Sequence, residues 1–142
     1  MQLIEWDESI KLEIAEIDAQ HQKLVEIINR FFSAMSRAEG FQVLSEILTE
    51  LADYGVYHFQ TEEKYFAEFD YEFTAEHKRE HQAFVAKIQE LQSAFRSGRI
   101  KAEGSDKILS VELFTFLKSW LINHIKIEDQ KYRDLFKENG LT

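Results

Sequence analysis

His77 and His81 form an HxxxH motif within a segment whose apolar residues recur at helical spacing. On a helix, histidines four residues apart lie on one face, where both imidazoles can bind the same metal ion. Three further histidines, at positions 21, 58 and 124, each fall on the apolar face of a predicted helix. A single histidine in such a place is more often a hydrogen-bonded core residue. Five of them together indicate a metal site.

Two carboxylates accompany the histidines at similar spacings. Glu62 follows His58 by four residues, and Asp129 follows His124 by five. The second spacing fits a shared face less well, because five residues carry an α-helix about 140° past one full turn. A bridging carboxylate needs reach across two metals more than it needs that face. The predicted metal ligands are His21, His58, Glu62, His77, His81, His124 and Asp129.

Seven ligands exceed what one six-coordinate ion needs, so two metal ions bridged by carboxylates account for the whole set. Zinc prefers four ligands, whereas imidazole nitrogens with carboxylate oxygens suit five- or six-coordinate iron better. The sequence therefore favours a di-iron site, although the same ligand types also accept manganese, cobalt or zinc.

Composition narrows the class of protein. A chain of 142 residues can bury roughly two thirds of its unfolded surface, so we expect one domain over residues 1–142. The absence of cysteine excludes disulfides, iron–sulfur clusters and thiolate zinc sites. A net charge of -9 argues against a nucleic-acid or anionic-membrane partner. No signal-peptide pattern or transmembrane-length apolar run is present, which favours a cytoplasmic location.

The elements that must position the ligands can be read from periodicity. In residues 1–17, Ile10, Leu12 and Ile14 alternate with charged residues, which predicts an extended arm anchored by Trp6. Four helical patterns follow over residues 18–138. The first spans about 18–37, with Asp18 as N-cap, and the second about 41–66. The third runs from Thr74, its predicted cap, to about 95, and the fourth runs from Ser105 to about 129. A polar loop between Gly98 and Gly104 separates the last two.

Four helices of similar length joined by short loops predict an all-α, up-down-up-down antiparallel four-helix bundle. In such a bundle the predicted ligands fall alternately near the start and the end of successive helices. They therefore gather at one end. Gly55, inside the second helix, is explained by a close helix crossing or by drift.

The chain resembles the hemerythrin family over nearly its whole length, and its short acidic form looks like the single-domain bacteriohemerythrins. The resemblance rests on the seven ligand positions and the Trp6 arm. It also rests on Ile-Asp-Ala-Gln-His at 17–21, His-Phe-x-x-Glu-Glu at 58–63 and Trp-Leu-x-x-His-Ile at 120–125.

The resemblance implies the assignment of ligands to two iron ions. One iron, coordinatively full, would be held by His77, His81 and His124. The other, with one open position, would be held by His21 and His58. Glu62 and Asp129 would bridge the pair together with an oxo or hydroxo group, and dioxygen would bind reversibly at the open position. An apolar pocket around it is implied by the resemblance for Leu24, Phe59, Trp120 and Leu121, all four of which also fit ordinary core packing.

Three functions remain open from the sequence. Reversible dioxygen binding, for storage, delivery or sensing, is favoured because neutral imidazoles stabilise high-valent iron less well than the Glu-rich ligand sets of di-iron oxygenases. The same ligands also fit an oxidase, a peroxidase or a nitric oxide scavenger. A metal-free structural bundle is the third reading. Mostly charged outer faces favour a monomer. An oxygen-consuming enzyme or a reductase could be its protein partner.

Overall fold

A computed structural model describes residues 5–37, 39–96 and 105–142, without the side chains of 40–42 and 105–110. Four long helices follow the order of the sequence: α1 (Ala15–Ser36), α2 (Gly40–Phe69), α3 (Thr74–Arg96) and α4 (Ser105–Trp120). A π-helix (Leu121–Glu128), a 3₁₀ turn (Asp129–Tyr132) and a short helix α5 (Arg133–Glu138) complete the chain. The predicted four-helix bundle is confirmed, and the predicted loop from Gly98 to Gly104 falls outside the described residues.

The N-terminal arm is shorter than predicted. Its alternation is correct, because Ile10, Leu12 and Ile14 are buried while Glu13 is exposed. Helix α1 begins at Ala15, however, and Ile14 is its N-cap. The predicted cap, Asp18, was wrong: its carboxylate accepts the backbone N–H groups of Leu12 at 2.8 Å and Glu13 at 2.9 Å. Asp18 therefore fixes the arm, in which Glu13 takes a left-handed φ of 62°.

The helix boundaries otherwise lie close to their predicted positions. Helix α2 runs three residues beyond the predicted end, to Phe69, and stops at Asp70, whose φ of 54° is left-handed. Helix α3 begins at Thr74 as predicted, but the Thr74 hydroxyl donates to the Tyr71 carbonyl at 2.5 Å instead of capping the helix. The connection between α2 and α3 is therefore short and consists of residues 70–73.

Two apolar clusters fill the bundle. The larger one runs along its length and includes Leu24, Leu51, Phe84, Leu117 and Leu121, with Trp6 of the arm packed against it at partial burial. The smaller one joins the arm to the C-terminal turns through Leu12, Ile14, Ile17, Tyr65, Phe66, Tyr71, Tyr132 and Phe136. Aromatic rings of both clusters contact the predicted metal ligands. Phe59 of the larger cluster stacks on His81, and Phe66 of the smaller one meets His77 edge-on. The ligands thus lie between two apolar regions.

Gly55 does not mark a forced close crossing of helices. A Cβ atom placed there would lie 3.5 Å from the Phe59 ring and 3.6 Å from the Phe84 ring, which is ordinary contact. Alanine would therefore fit, and the structure gives no steric reason for glycine. Across the described ranges, none of the helices combines the length and apolar character needed to cross a bilayer.

Candidate metal centre

All seven predicted ligands converge in the interior of the bundle. Each is at most 2% exposed. Their ligand atoms fall into two overlapping groups in which every pair of atoms lies within 4.8 Å. One group contains three histidines and the other contains two, with Glu62 common to both: Glu62, His77, His81 and His124, and His21, His58, Glu62 and Asp129.

The two-histidine group joins α1 to α2. The Nε2 atoms of His21 and His58 are 3.2 Å apart. His21 Nε2 also lies 3.0 Å from Asp129 Oδ2, and His58 Nε2 lies 3.2 Å from Glu62 Oε1. Helix α1 therefore brings His21, near its start, to His58 and Glu62 in the second half of α2.

The three-histidine group joins α3 to the π-helix. His77 Nε2 lies 2.9 Å from Asp129 Oδ1, and His124 Nε2 lies 3.1 Å from the same oxygen. His81 Nε2 lies 3.0 Å from Glu62 Oε1. Asp129 thus turns one oxygen to each group, while a single Glu62 oxygen approaches histidines of both. A carboxylate that faces two groups in this way has the position of a bridge.

The orphaned atoms of the cluster are those that a metal would satisfy. Among the described residues, His77, His81 and His124 have no hydrogen-bond partner at Nε2, and neither Glu62 Oε1 nor either Asp129 oxygen has one. The short separations at these atoms lack hydrogen-bond geometry, although groups this close still interact electrostatically. Buried polar atoms left unpaired destabilise a fold, so the donor set fits metal ions of imidazole and carboxylate preference.

The electrostatics of the cluster are those of a tightly coupled ion-pair network. Burial disfavours a charged imidazole, but Asp129 and Glu62 outweigh it and raise the pKa of His77 to about 9. The same opposition, with Asp129 the main partner, raises the pKa of His124 to about 10. Burial and Glu62 oppose ionisation of Asp129, yet His124 and His21 hold its pKa well below the usual range. Without bound metal, protons on His77 and His124 therefore supply positive charge beside the two carboxylates.

The π-helix explains how Asp129 reaches the cluster. Its backbone N–H donates to the His124 carbonyl, five residues back. Closing the turn over five residues instead of four rotates Asp129 back toward the face of His124. The five-residue spacing, which is unfavourable on an α-helix, is therefore suited to the local structure. Sequence periodicity gave no sign of the π-helix.

Polar side chains contact the outer nitrogen atoms of two predicted ligands, His58 and His81. Gln20 Oε1 lies 2.5 Å from His58 Nδ1, and Gln20 is held in turn by the Thr61 hydroxyl at 3.2 Å. Glu63 Oε2 lies 2.8 Å from His81 Nδ1. Contacts of this kind fix the tautomer and the orientation of a metal-ligating imidazole. Gln20, which directly precedes His21, was not among the residues predicted from the sequence.

A tyrosine also supports a carboxylate. The buried Tyr132 hydroxyl donates to Glu62 Oε2 at 2.5 Å, which leaves Oε1 to face the histidines. On the other side of the site, Glu80 Oε2 lies 3.6 Å from His124 Nδ1. Glu80 belongs to the charged stretch at residues 76–80, a pattern typical of a solvated helix face. Both contacts depend on tertiary packing, so motif spacing carried no signal of them.

The four predicted pocket residues are all buried in the larger apolar cluster: Leu24, Phe59, Trp120 and Leu121. The Phe59 ring stacks on His81 with centroids 3.9 Å apart, and the Trp120 ring stacks on His124 at 4.0 Å. These contacts exclude water from the faces of two ligands. Their part in lining a dioxygen pocket stays a prediction.

Comparison with known proteins agrees with this geometry. The family model described as the hemerythrin HHE cation binding domain matches residues 12–136. The bacteriohemerythrin of Stenotrophomonas maltophilia (strain R551-3) is 34% identical over 137 residues, which cover 96% of this chain and 84% of that protein. The bacteriohemerythrin of Clostridium acetobutylicum is 30% identical over 132 residues, covering 91% and 98%.

A similar fold has been solved. The crystal structure of a hemerythrin with a leucine-to-alanine substitution superposes with a TM-score of 0.78 and 26% identity, covering 95% of this chain and 98% of that one. The resemblance read from the sequence is thus confirmed by the family model, by relatives aligned over most of their length and by the fold. The chain belongs to the hemerythrin family.

Proposed function

We propose that this protein binds two iron ions and uses them to bind dioxygen reversibly. The observation that carries the proposal is the arrangement of two buried ligand groups around Glu62 and Asp129. Asp129 approaches histidines of both groups, as Glu62 does. With both carboxylates shared, the group with two histidines has one protein ligand fewer than the group with three, which leaves room for a small molecule. The hemerythrin family supplies the expectation of iron and dioxygen.

The chain's own residues support binding in preference to turnover. Five of the seven ligands are neutral imidazoles when metal is bound, and the cluster lies between apolar regions that exclude water. Water exclusion slows the side reactions that would convert a carrier into an oxidase. Bound iron would supply the electrons for dioxygen binding, and the protein holds the ligands, orients the imidazoles and keeps the pocket dry.

The test begins with anaerobic Fe(II) loading. Visible spectra are then recorded through repeated cycles of air and argon, and oxygen uptake is followed with an electrode in the presence of ascorbate. We expect charge-transfer bands that appear in air and vanish under argon, with uptake of one dioxygen per chain. Continued oxygen consumption over many turnovers would favour the enzyme, and a colourless protein would favour the metal-free bundle.

A further inference from the structure

Tyr54 carries a buried polar group that the proposed site leaves unused. Its side chain is 6% exposed, and its hydroxyl has no hydrogen-bond partner among the described residues. A buried hydroxyl that loses its hydrogen bonds to water without replacement destabilises the fold. Phenylalanine would fill the same space without that penalty. The hydroxyl therefore needs an explanation other than packing.

The position of Tyr54 places it beside the two-histidine group. It precedes His58 by one helical turn, and the two rings are nearly parallel, with centroids 5.2 Å apart and an angle of 14°. A tyrosine hydroxyl is protonated at neutral pH and is therefore a hydrogen-bond donor.

The rest of the Tyr54 environment is apolar. Its ring meets Phe59 and Phe84 edge-on at 6.2 and 6.1 Å. It belongs to the same cluster as Leu24 and Leu121. Surroundings of this kind offer the hydroxyl few acceptors, whereas a small ligand bound next to His58 would provide one.

Comparison with a second buried donor, the Trp120 indole, shows which group of histidines Tyr54 lies beside. The Trp120 indole Nε1 also has no partner in the described part of the chain. Its ring, however, stacks on His124 at 4.0 Å, a member of the three-histidine group. Tyr54 is therefore the unpartnered donor that stacks on a ligand of the two-histidine group, the one with fewer protein ligands.

We propose that the Tyr54 hydroxyl donates a hydrogen bond to the small ligand that binds beside His21 and His58, and thereby slows its departure. The inference rests on the proposed function. The ligand it fits is a diatomic molecule or a small anion whose free end carries negative charge. Tyr54 is in this account a specificity-determining residue, since it favours ligands that can accept a hydrogen bond.

The test compares Tyr54→Phe with a matched control. Tyr71 is 7% exposed, and its buried hydroxyl likewise has no partner within the described ranges. Its ring lies 6.4 Å from His77 of the three-histidine group. Tyr71→Phe therefore removes a similar hydroxyl from the other side of the site. Dissociation of dioxygen from the di-ferrous protein and of azide from the di-ferric protein is measured for both variants and for the wild type.

We expect both ligands to leave Tyr54→Phe about 10 to 100 times faster, the loss typical of a hydrogen bond to a charged acceptor. Tyr71→Phe should match the wild type. In the metal-free state, Tyr54→Phe should melt at a higher temperature than the wild type, because no ligand is there to satisfy the hydroxyl. Unchanged dissociation from a Tyr54→Phe protein that retains two irons would overturn the inference.

If Tyr54→Phe fails to load iron, the proposal can be tested on the wild-type protein. In a crystal structure of the azide-bound di-ferric wild type, the Tyr54 hydroxyl oxygen should lie within about 3.2 Å of an azide nitrogen. A hydroxyl bonded only to a water molecule would contradict the proposal. A wild type that binds two irons but no dioxygen or azide would overturn the proposed function as well, so the two failures are distinguishable.

Discussion

The backbone N–H of Asp129 donates to the carbonyl of His124, five residues earlier in the chain. This bond belongs to the π-helix that separates α4 from the C-terminal turns. It brings one Asp129 oxygen to 3.1 Å from His124 Nε2 and the other to 3.0 Å from His21 Nε2. Inserted π turns are frequent at functional sites, and here one supplies the carboxylate that connects the two histidine groups.

Asp129→Asn tests this connection. An amide is neutral and offers one good acceptor oxygen where the carboxylate offers two, so we expect the variant to bind fewer than two irons per chain and to lose its charge-transfer bands. Iron content and visible spectra measure the outcome. Asp134→Asn, at an exposed position of α5, should behave as the wild type. Two tightly held irons and unchanged spectra in Asp129→Asn would show that this residue is not a bridge.

Tyr132→Phe tests the support of Glu62. Without the hydroxyl that donates to Oε2, the carboxylate is free to rotate, and we expect iron affinity to fall by about 10- to 100-fold, as is typical for loss of an outer contact to a ligand. Competition with a chelator measures the affinity. Tyr65→Phe is the matched control, because its hydroxyl bonds to Glu16 at 2.7 Å instead of to a metal ligand. Equal affinities in the two variants would remove Tyr132 from the account.

Leu121→Ala tests the dryness of the pocket. Leu121 is 3% exposed and one turn before His124. Its truncation should leave a cavity costing about 2–5 kcal/mol of stability and admit water, so that oxidation of the oxygenated protein to the di-ferric form becomes faster. The rate is followed by loss of the oxygenated spectrum. Leu113→Ala, fully buried in the preceding helix α4, should destabilise the fold to a similar extent without changing that rate.

The pKa shifts predict how the metal-free protein responds to pH. His77 and His124 have raised pKa values of about 9 and about 10 against an ordinary 6.5, so their stabilising effect is complete below pH 6.5 and is lost as the pH rises through those values. Asp129 has a lowered pKa, and its stabilising effect is present above the ordinary value of 3.8 and is lost as the pH falls below it.

The metal-free protein should therefore melt at its highest temperature between about pH 4 and about pH 6.5 and lose stability toward about pH 10. Iron binding at about pH 7 should release about two protons from these histidines, since metal replaces them. Thermal melts across the pH range and proton release in weak buffer give the two readouts. A melting temperature that stays constant up to about pH 10, with no proton release, would contradict the coupling.

The sequence predicted the features that repeat and missed those that depend on local competition. Periodicity located the four helices and placed six of the seven predicted ligands on regular faces, with Asp129 as the exception. Asp18 was misread as a helix cap because its residue type is correct for that role, whereas tertiary structure gives its carboxylate two N–H donors of the arm. The early start of α1 follows from the same competition.

The outer contacts of the site were not predictable by spacing. Tyr132 is 70 residues from Glu62, and Gln20 is 38 residues from His58, so neither pair forms a motif. Tyr54 and His58 do stand at helical spacing, but a tyrosine on an apolar face is indistinguishable from core until its hydroxyl is found to lack a partner. The π-helix has no periodic signature over eight residues.

Anomalous diffraction at the iron edge, from crystals of the iron-loaded protein, would test whether the seven residues hold two iron ions bridged by Glu62 and Asp129. We predict two peaks per chain, one next to His77, His81 and His124 and one next to His21 and His58, with both carboxylates between them. A single peak, or peaks away from these side chains, would contradict the account.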